Sequence, residues 1–129
     1  ELDGHSDGDV LTHAVIDGIL GASGLGDIGS HFPSSDDQFR GIDSFILLER
    51  TIKMSNDKGW SPTYIDATIV AQTPNFASHI LQMRENVSAV VKLEKDRINI
   101  KATTTDHLGF IGKKKGIACF VVVTMESLE

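Results

Sequence analysis

Apolar residues fall at Val10, Leu11, Ala14, Val15, Gly18, Ile19 and Ala22, the spacing of an amphipathic helix, and predict a helix over residues 8–23. Ser6 and Asp7 stand where a helix cap is expected, and Gly21, Gly24 and Gly26 supply the stop. Residues 25–41 lose this periodicity, are largely polar and contain Pro33, so they read as one long loop. A loop of that length in a compact domain is usually functional. Helical spacing returns over 42–58, ending at Lys58-Gly59, and over 77–92, where Ile80, Met83, Val87 and Val91 share one face. Three strands are predicted: 67–71, closed by Pro74; 97–101, which alternates; and 116–125. This order gives an α+β class, a single sheet with helices packed on one face, in a single domain over 1–129.

A chain of 129 residues is long enough for one hydrophobic core. No apolar run approaches the ~18 residues that cross a bilayer. The acidic opening Glu1-Leu2-Asp3-Gly4-His5 lacks the regions of a secretory signal. The expected home is therefore cytoplasmic, or a plastid-type organelle after loss of a transit peptide, with no membrane partner. A net charge of −6 disfavours nucleic acid as a partner, because phosphate contacts need clustered cations. The basic run Lys113-Lys114-Lys115 lies between glycines and reads as a turn. A single cysteine, Cys119, permits no internal disulfide, and its apolar surroundings mark it as a buried strand residue rather than a nucleophile.

Some motifs carry chemistry only in the right context. Gly24-Leu25-Gly26-Asp27-Ile28-Gly29 has the G-x-G-x-x-G spelling, but it follows a helix and runs into a loop, so a dinucleotide site is rejected. Asp3 to Asp9 lacks the alternating oxygens and closing Glu of a calcium loop. Asp9, His13 and Asp17 are four apart and lie along one side of the first helix. A histidine so placed can ligate zinc with carboxylates holding it, although spacing alone favours a surface histidine in i, i+4 pairs. Thr103-Thr104-Thr105-Asp106 follows a strand directly, where hydroxyls and a carboxylate can meet phosphate and a hard cation, or simply form a turn.

Taken together, His5-Ser6-Asp7-Gly8-Asp9 with His13, Gly24 to Gly29 with Phe32-Pro33, Ala71-Gln72-Thr73-Pro74, Lys101 to Thr105, and Leu108 to Phe110 with Gly116-Ile117-Ala118 resemble the 2-C-methyl-D-erythritol 2,4-cyclodiphosphate synthase family of the non-mevalonate isoprenoid pathway. The motifs match in order and spacing over essentially the whole chain. The resemblance implies cyclisation of 4-diphosphocytidyl-2-C-methyl-D-erythritol 2-phosphate, with the 2-phosphate attacking the β-phosphorus and CMP leaving. It implies Zn²⁺ on His13, with Asp9 and Asp17 as orienting groups, and Mg²⁺ or Mn²⁺ on Asp106. His5 and Ser6 would bind the attacking phosphate and the erythritol end. Asp27, Ile28 and Gly29 would hold the erythritol hydroxyls under a lid of Phe32, Pro33, Ser34, Ser35 and Asp36. Ala71, Gln72, Thr73, Pro74, Asn75, Phe76 and Ala77 would form the cytidine pocket. His5 and Thr104 would be catalytic, with Thr103, Thr105, Phe110 and Lys113 near the phosphates. The family is a homotrimer with sheets around the threefold axis and each active site between two subunits, which would account for a strand as apolar as Phe120 to Val123.

The chain departs from the family pattern in four places. The family's opening hairpin, with an Asp-x-His pair that completes the zinc site, is not in this sequence, so the chain as written is expected to bind zinc weakly and turn over poorly. Asp106 stands for the usual Glu, Ser34 for a common Asp, and Lys113 for a usual Arg, which loses the bidentate fork but keeps the charge. Two rival functions remain open at this stage. One is a catalytically silent trimeric protein that binds nucleotides or isoprenoid diphosphates, and the other is an unrelated metal-dependent phosphohydrolase.

Overall fold

The computed structural model describes residues 4–71, 77–104 and 117–128. Helix α1 (Gly4–Ala22) is followed by a short helix α2 (Ile28–His31), a 3₁₀ turn (Asp37–Phe39) and helix α3 (Ser44–Asp57). Strand β1 (Trp60–Val70), helix α4 (Ala77–Val91), strand β2 (Ile98–Thr103) and strand β3 (Ala118–Ser127) complete the order. The three strands form one mixed sheet in the order β2-β1-β3, parallel between β1 and β2 and antiparallel between β1 and β3. The α+β expectation therefore holds for the described residues. Among them no helix is long and apolar enough to cross a membrane.

Alternation explains how the sheet is covered. Ile65, Ala67 and Ile69 of β1 and Ile98 and Ile100 of β2 point to one face and are buried there. Leu11, Val15, Ile16, Ile19 and Leu20 of α1, Leu47 and Leu48 of α3, and Met83, Val87 and Val91 of α4 bury against them. The buried side of α1 is wide because it packs against both β3 and α3. On the opposite face of the sheet Phe120 and Val122 remain 65% and 66% exposed, while Val121 and Val123 turn inward. Beside them, Asp66 accepts hydrogen bonds from Lys101 Nζ (2.6 Å) and Asn99 Nδ2 (3.1 Å). These bonds, that to Lys101 foremost, hold the Asp66 carboxyl below its ordinary range.

Several boundaries differ from the sequence expectation. Helix α1 begins at Gly4, so Ser6 and Asp7 lie within it and do not cap it, and Gly21 is still helical. The actual turn out of α1 is made at Gly24 and Gly26, whose φ angles of +71° and +91° suit glycine. The 25–41 loop contains a helical turn and a 3₁₀ turn. Strand β1 starts seven residues before the predicted 67, because Pro62 masks its first half. The ladder is irregular between Pro62 and Tyr64, the kind of site at which a central strand tolerates a residue with no N–H. Pro74, expected to close this strand, lies outside the described residues.

Buried hydroxyls tie the helix ends together. Ser23 Oγ lies 2.7 Å from the Ile19 carbonyl and 3.0 Å from Ser55 Oγ and shares its one hydrogen between them, and Ser55 Oγ donates to the Trp60 carbonyl (3.0 Å). This chain joins the C-terminal ends of α1 and α3 to the start of β1 and satisfies groups that would be costly to bury alone. Gly18 sets the distance between α1 and β3, since a Cβ there would sit 2.7 Å from Val123 Cγ2. Valine is stiff about χ1 and cannot swing its methyl clear cheaply. Gly18→Ala is therefore expected to destabilise the protein by about 1–3 kcal/mol despite alanine's better helix propensity. Gly21→Ala, which meets nothing within 4 Å, should instead stabilise by roughly 0.5–1 kcal/mol. Urea denaturation of both variants checks the pair, and a neutral Gly18→Ala would disprove the close approach.

Candidate functional site

His13 is exposed on α1, one turn beyond the half-buried Asp9 and one turn before the exposed Asp17. It faces a cavity of about 400 Å³ whose lining includes Asp9, Ile28, Gly29, Phe32, Ser34 and Ser44. Phe39, Gly41, Ile42 and Leu47 complete the wall. The structure thus brings His13 together with part of the predicted erythritol loop. Pattern reading missed the contributions of Phe39 and Ser44, although Asp43 followed by a helical run is a recognisable start signal. Asp43 does cap α3, its carboxylate accepting from Phe45 N–H at 2.9 Å.

The loop over His13 has a defined internal order. Asp27 caps α2 in a reciprocal box: its carboxylate accepts from Ser30 N–H (2.9 Å), and Ser30 Oγ accepts from Asp27 N–H (3.4 Å). The bonds from Ser30 hold the Asp27 carboxyl below its ordinary value of 3.8. Asp36 similarly caps the 3₁₀ turn, and its bonds from the Gln38 side chain and backbone lower it. His31 Nε2 donates to the Leu25 carbonyl. Phe32 and Phe39 meet edge to face at 5.3 Å, and the Arg50 guanidinium lies 6.0 Å above Phe39. Pro33 accepts from Asp36 N–H through its carbonyl, and Ser35 is exposed.

The carboxylates flanking His13 make bonds that the sequence did not suggest. Asp17 Oδ1 accepts from Ile28 N–H at 2.7 Å, and Asp9 Oδ1 accepts from Ser44 Oγ at 2.7 Å. Ile28 therefore offers a ligand its side chain rather than this amide, and its carbonyl accepts from Phe32 N–H (2.8 Å). His13 suits the part of a single zinc ligand. Among the described residues no group of three His, Cys, Asp or Glu could hold a metal ion, so these residues alone do not build a zinc site.

The predicted nucleotide half is placed by sheet topology. The β1-α4-β2 unit runs its two strands parallel, with Val70 opposite Thr103, so both chains leave the sheet at the same end. Ala71 is buried and its N–H donates to the Thr103 carbonyl at 3.0 Å. Thr104 is exposed just beyond, at the carboxyl end of parallel strands where open α/β sheets bind ligands. Ala77 begins α4. Gln72, Thr73, Pro74, Asn75, Phe76, Thr105, Asp106, Phe110 and Lys113 lie outside the described residues, and His5 and Ser6 fall in the first turn of α1. Ala71, Thr103 and Thr104 do not line the His13 cavity. Cys119 is half-buried in β3, and burial pushes its thiol up to about 11. That fits the expected structural role.

The Asp27 cap makes a titration prediction. A carboxyl whose folded pKa is depressed contributes stability above its unfolded value and loses it as pH falls through the folded value. Asp27 should titrate below 3.8 in a carbon-detected NMR titration, with Ser30→Ala returning it toward that value. A midpoint at or above 3.8 in the parent protein would mean that the cap is not formed in solution.

Known proteins resemble this chain in sequence and fold. A curated protein of Geotalea uraniireducens named 2-C-methyl-D-erythritol 2,4-cyclodiphosphate synthase is 54% identical over 95% of this chain and 78% of its own length. The bifunctional IspDF of Campylobacter jejuni superposes with a TM-score of 0.89 at 41% identity, covering 98% of this chain, which spans 34% of that longer protein. The IspF–CDP complex of Plasmodium falciparum superposes with a TM-score of 0.82 at 32% identity, over 99% of this chain and 76% of that one. The pattern that defines the YgbB family matches residues 1–126, and the chain belongs to that family.

Proposed function

We propose that this chain converts 4-diphosphocytidyl-2-C-methyl-D-erythritol 2-phosphate to 2-C-methyl-D-erythritol 2,4-cyclodiphosphate with release of CMP. The observation that carries the reading is the 54% identity, over 95% of the chain, to a relative bearing that synthase's name. An oxygen of the 2-phosphate forms a bond to the β-phosphorus, and the bond from that phosphorus to the bridging oxygen of CMP breaks. No covalent bond to the protein is needed, so the protein's task is to fold the substrate back on itself and to meet the charge that develops.

In this reading the cavity beside His13 takes the erythritol end. Ile28, Gly29, Phe32 and Ser34 shape its wall and exclude water, with Asp27 at the hydroxyls and Pro33, Ser35 and Asp36 closing above. His5 and Ser6 bind the attacking phosphate. Residues 71–77 hold cytidine, and the CDP complex of the Plasmodium relative supports a cytidine nucleotide site in this fold. Thr104, at the carboxyl end of β2, donates its hydroxyl to the phosphates, with Thr103, Thr105, Phe110 and Lys113 nearby. Zn²⁺ with His13 as one ligand and Mg²⁺ or Mn²⁺ on Asp106 belong to the proposal, and when bound they supply positive charge at the phosphate oxygens.

The active unit is proposed to be a homotrimer. Among the described residues, Ala71, Thr103 and Thr104 at the carboxyl ends of β1 and β2 do not line the His13 cavity, which favours a site assembled from two chains. The exposed Phe120 and Val122 on the uncovered face of the sheet favour packing of sheets against one another.

Phosphorus NMR of the protein with substrate, Mg²⁺ and Zn²⁺ tests the proposal. The expected products are CMP and the cyclic diphosphate, without inorganic phosphate, and Thr104→Ala should lower kcat roughly a hundredfold or more. Release of inorganic phosphate from many nucleotides would reassign the chain as a phosphohydrolase. Binding of CDP without turnover, even when the family's Asp-x-His segment is supplied ahead of residue 1, would make it a silent binding homologue.

A further inference from the structure

We infer that Asp9 and Asp17 are positioning residues that clamp the two ends of the segment from Ile28 to Ser44 onto α1, one helical turn on either side of His13. Asp17 takes the leading end through the Ile28 N–H, and Asp9 takes the returning end through Ser44 Oγ. The two carboxylates are eight residues apart, about 12 Å along a helix axis. The segment therefore leaves α1's side at one clamp, lines the cavity beside His13 and rejoins α1 at the other. Between the clamps it is packed internally, by the Asp27 cap and by Phe32 on Phe39. Its apolar residues Ile28, Phe32, Phe39 and Ile42 also rest partly on the core.

These two kinds of attachment do different work. Apolar contact holds the segment down but is non-directional and tolerates sliding. A hydrogen bond to an ionised carboxylate is short, directional and stronger than a neutral one. The clamps accordingly fix where Gly29, Phe32 and Ser34 sit relative to His13, and so the shape of the cavity between them. This differs from the sequence expectation, in which the same carboxylates orient the His13 imidazole.

The functional consequence rests on the synthase reading, while the clamps themselves can be tested without it. Segment 28–44 contains a trypsin site at Arg40, whose side chain is 73% exposed. Wild type, Asp17→Ala, Asp17→Asn and Ser44→Ala are compared for cleavage after Arg40, and for KM, kcat and CDP affinity. Loss of one clamp should speed cleavage about tenfold and raise KM by a similar factor, the effect of roughly 1.4 kcal/mol. CDP affinity should stay within about twofold, because that ligand belongs to the other half of the proposed site. Asp17→Asn keeps an acceptor oxygen for Ile28 N–H but loses the charge, and should fall between wild type and Asp17→Ala in both readouts. Ser44→Ala breaks the second clamp from the loop side and should resemble Asp17→Ala.

Unchanged cleavage in both Asp17→Ala and Ser44→Ala would overturn the inference. So would zinc affinity that falls equally in Asp17→Asn and Asp17→Ala with cleavage unchanged, because the carboxylate would then serve His13 through its charge. If the wild type fails to turn over the diphosphocytidyl substrate even with the family's Asp-x-His segment supplied, the synthase reading falls and the cleavage comparison still decides the clamps.

Discussion

The rotation of α1 about its own axis governs the rest of the structure. Leu11, Val15, Ile16, Ile19 and Leu20 must face inward, and Gly18 must lie against Val123 because nothing larger fits there. With that side fixed, helical geometry leaves His13 and Asp17 no direction but outward, toward the segment that follows. The core and the candidate site are therefore two faces of one decision. A sequence that packs α1 correctly has already aimed the histidine.

A second arrangement follows from the sheet. Because β1 and β2 run parallel, the connection through α4 returns the chain to the starting end of the sheet, and both strands finish side by side. Residues separated by more than thirty positions, such as Val70 and Thr103, become neighbours at a backbone edge.

Much of this was legible in the sequence, and the failures have physical causes. The apolar spacing located α1, α3 and α4 because each has a long, repeated stripe that no short-range preference contradicts. Strand β1 was read short because Pro62 argues locally against a central strand, and only the cross-strand irregularity opposite β3 accommodates it. Helix α1 was started late because Ser6 and Asp7 have cap chemistry. Asp9, His13 and Asp17 were visible as a line of four-residue steps, but their partners were not. The Ile28 amide and the Ser44 hydroxyl are brought to them by chain reversals of eleven and thirty-five residues, which spacing along one helix does not encode. The apparent G-x-G-x-x-G was correctly set aside, since Gly24 and Gly26 serve the left-handed exit from α1.

The packing of α1 on β3 also bears on how the chain is made. The first long helix of this sequence completes its buried side only against the last strand, and β1 likewise receives β3 along its whole length. On a ribosome, α1, α3 and β1 exist well before the residues around Val121 and Val123 have emerged. The part of α1's apolar side that meets β3 is then uncovered for most of synthesis, and the closing contact joins residues about a hundred positions apart, a topology that folds slowly and late. Such an intermediate exposes surface that other nascent chains or chaperones can bind. Shortening the chain within β3 would accordingly strip the helix that bears His13 of its support, far from the site in sequence though not in space.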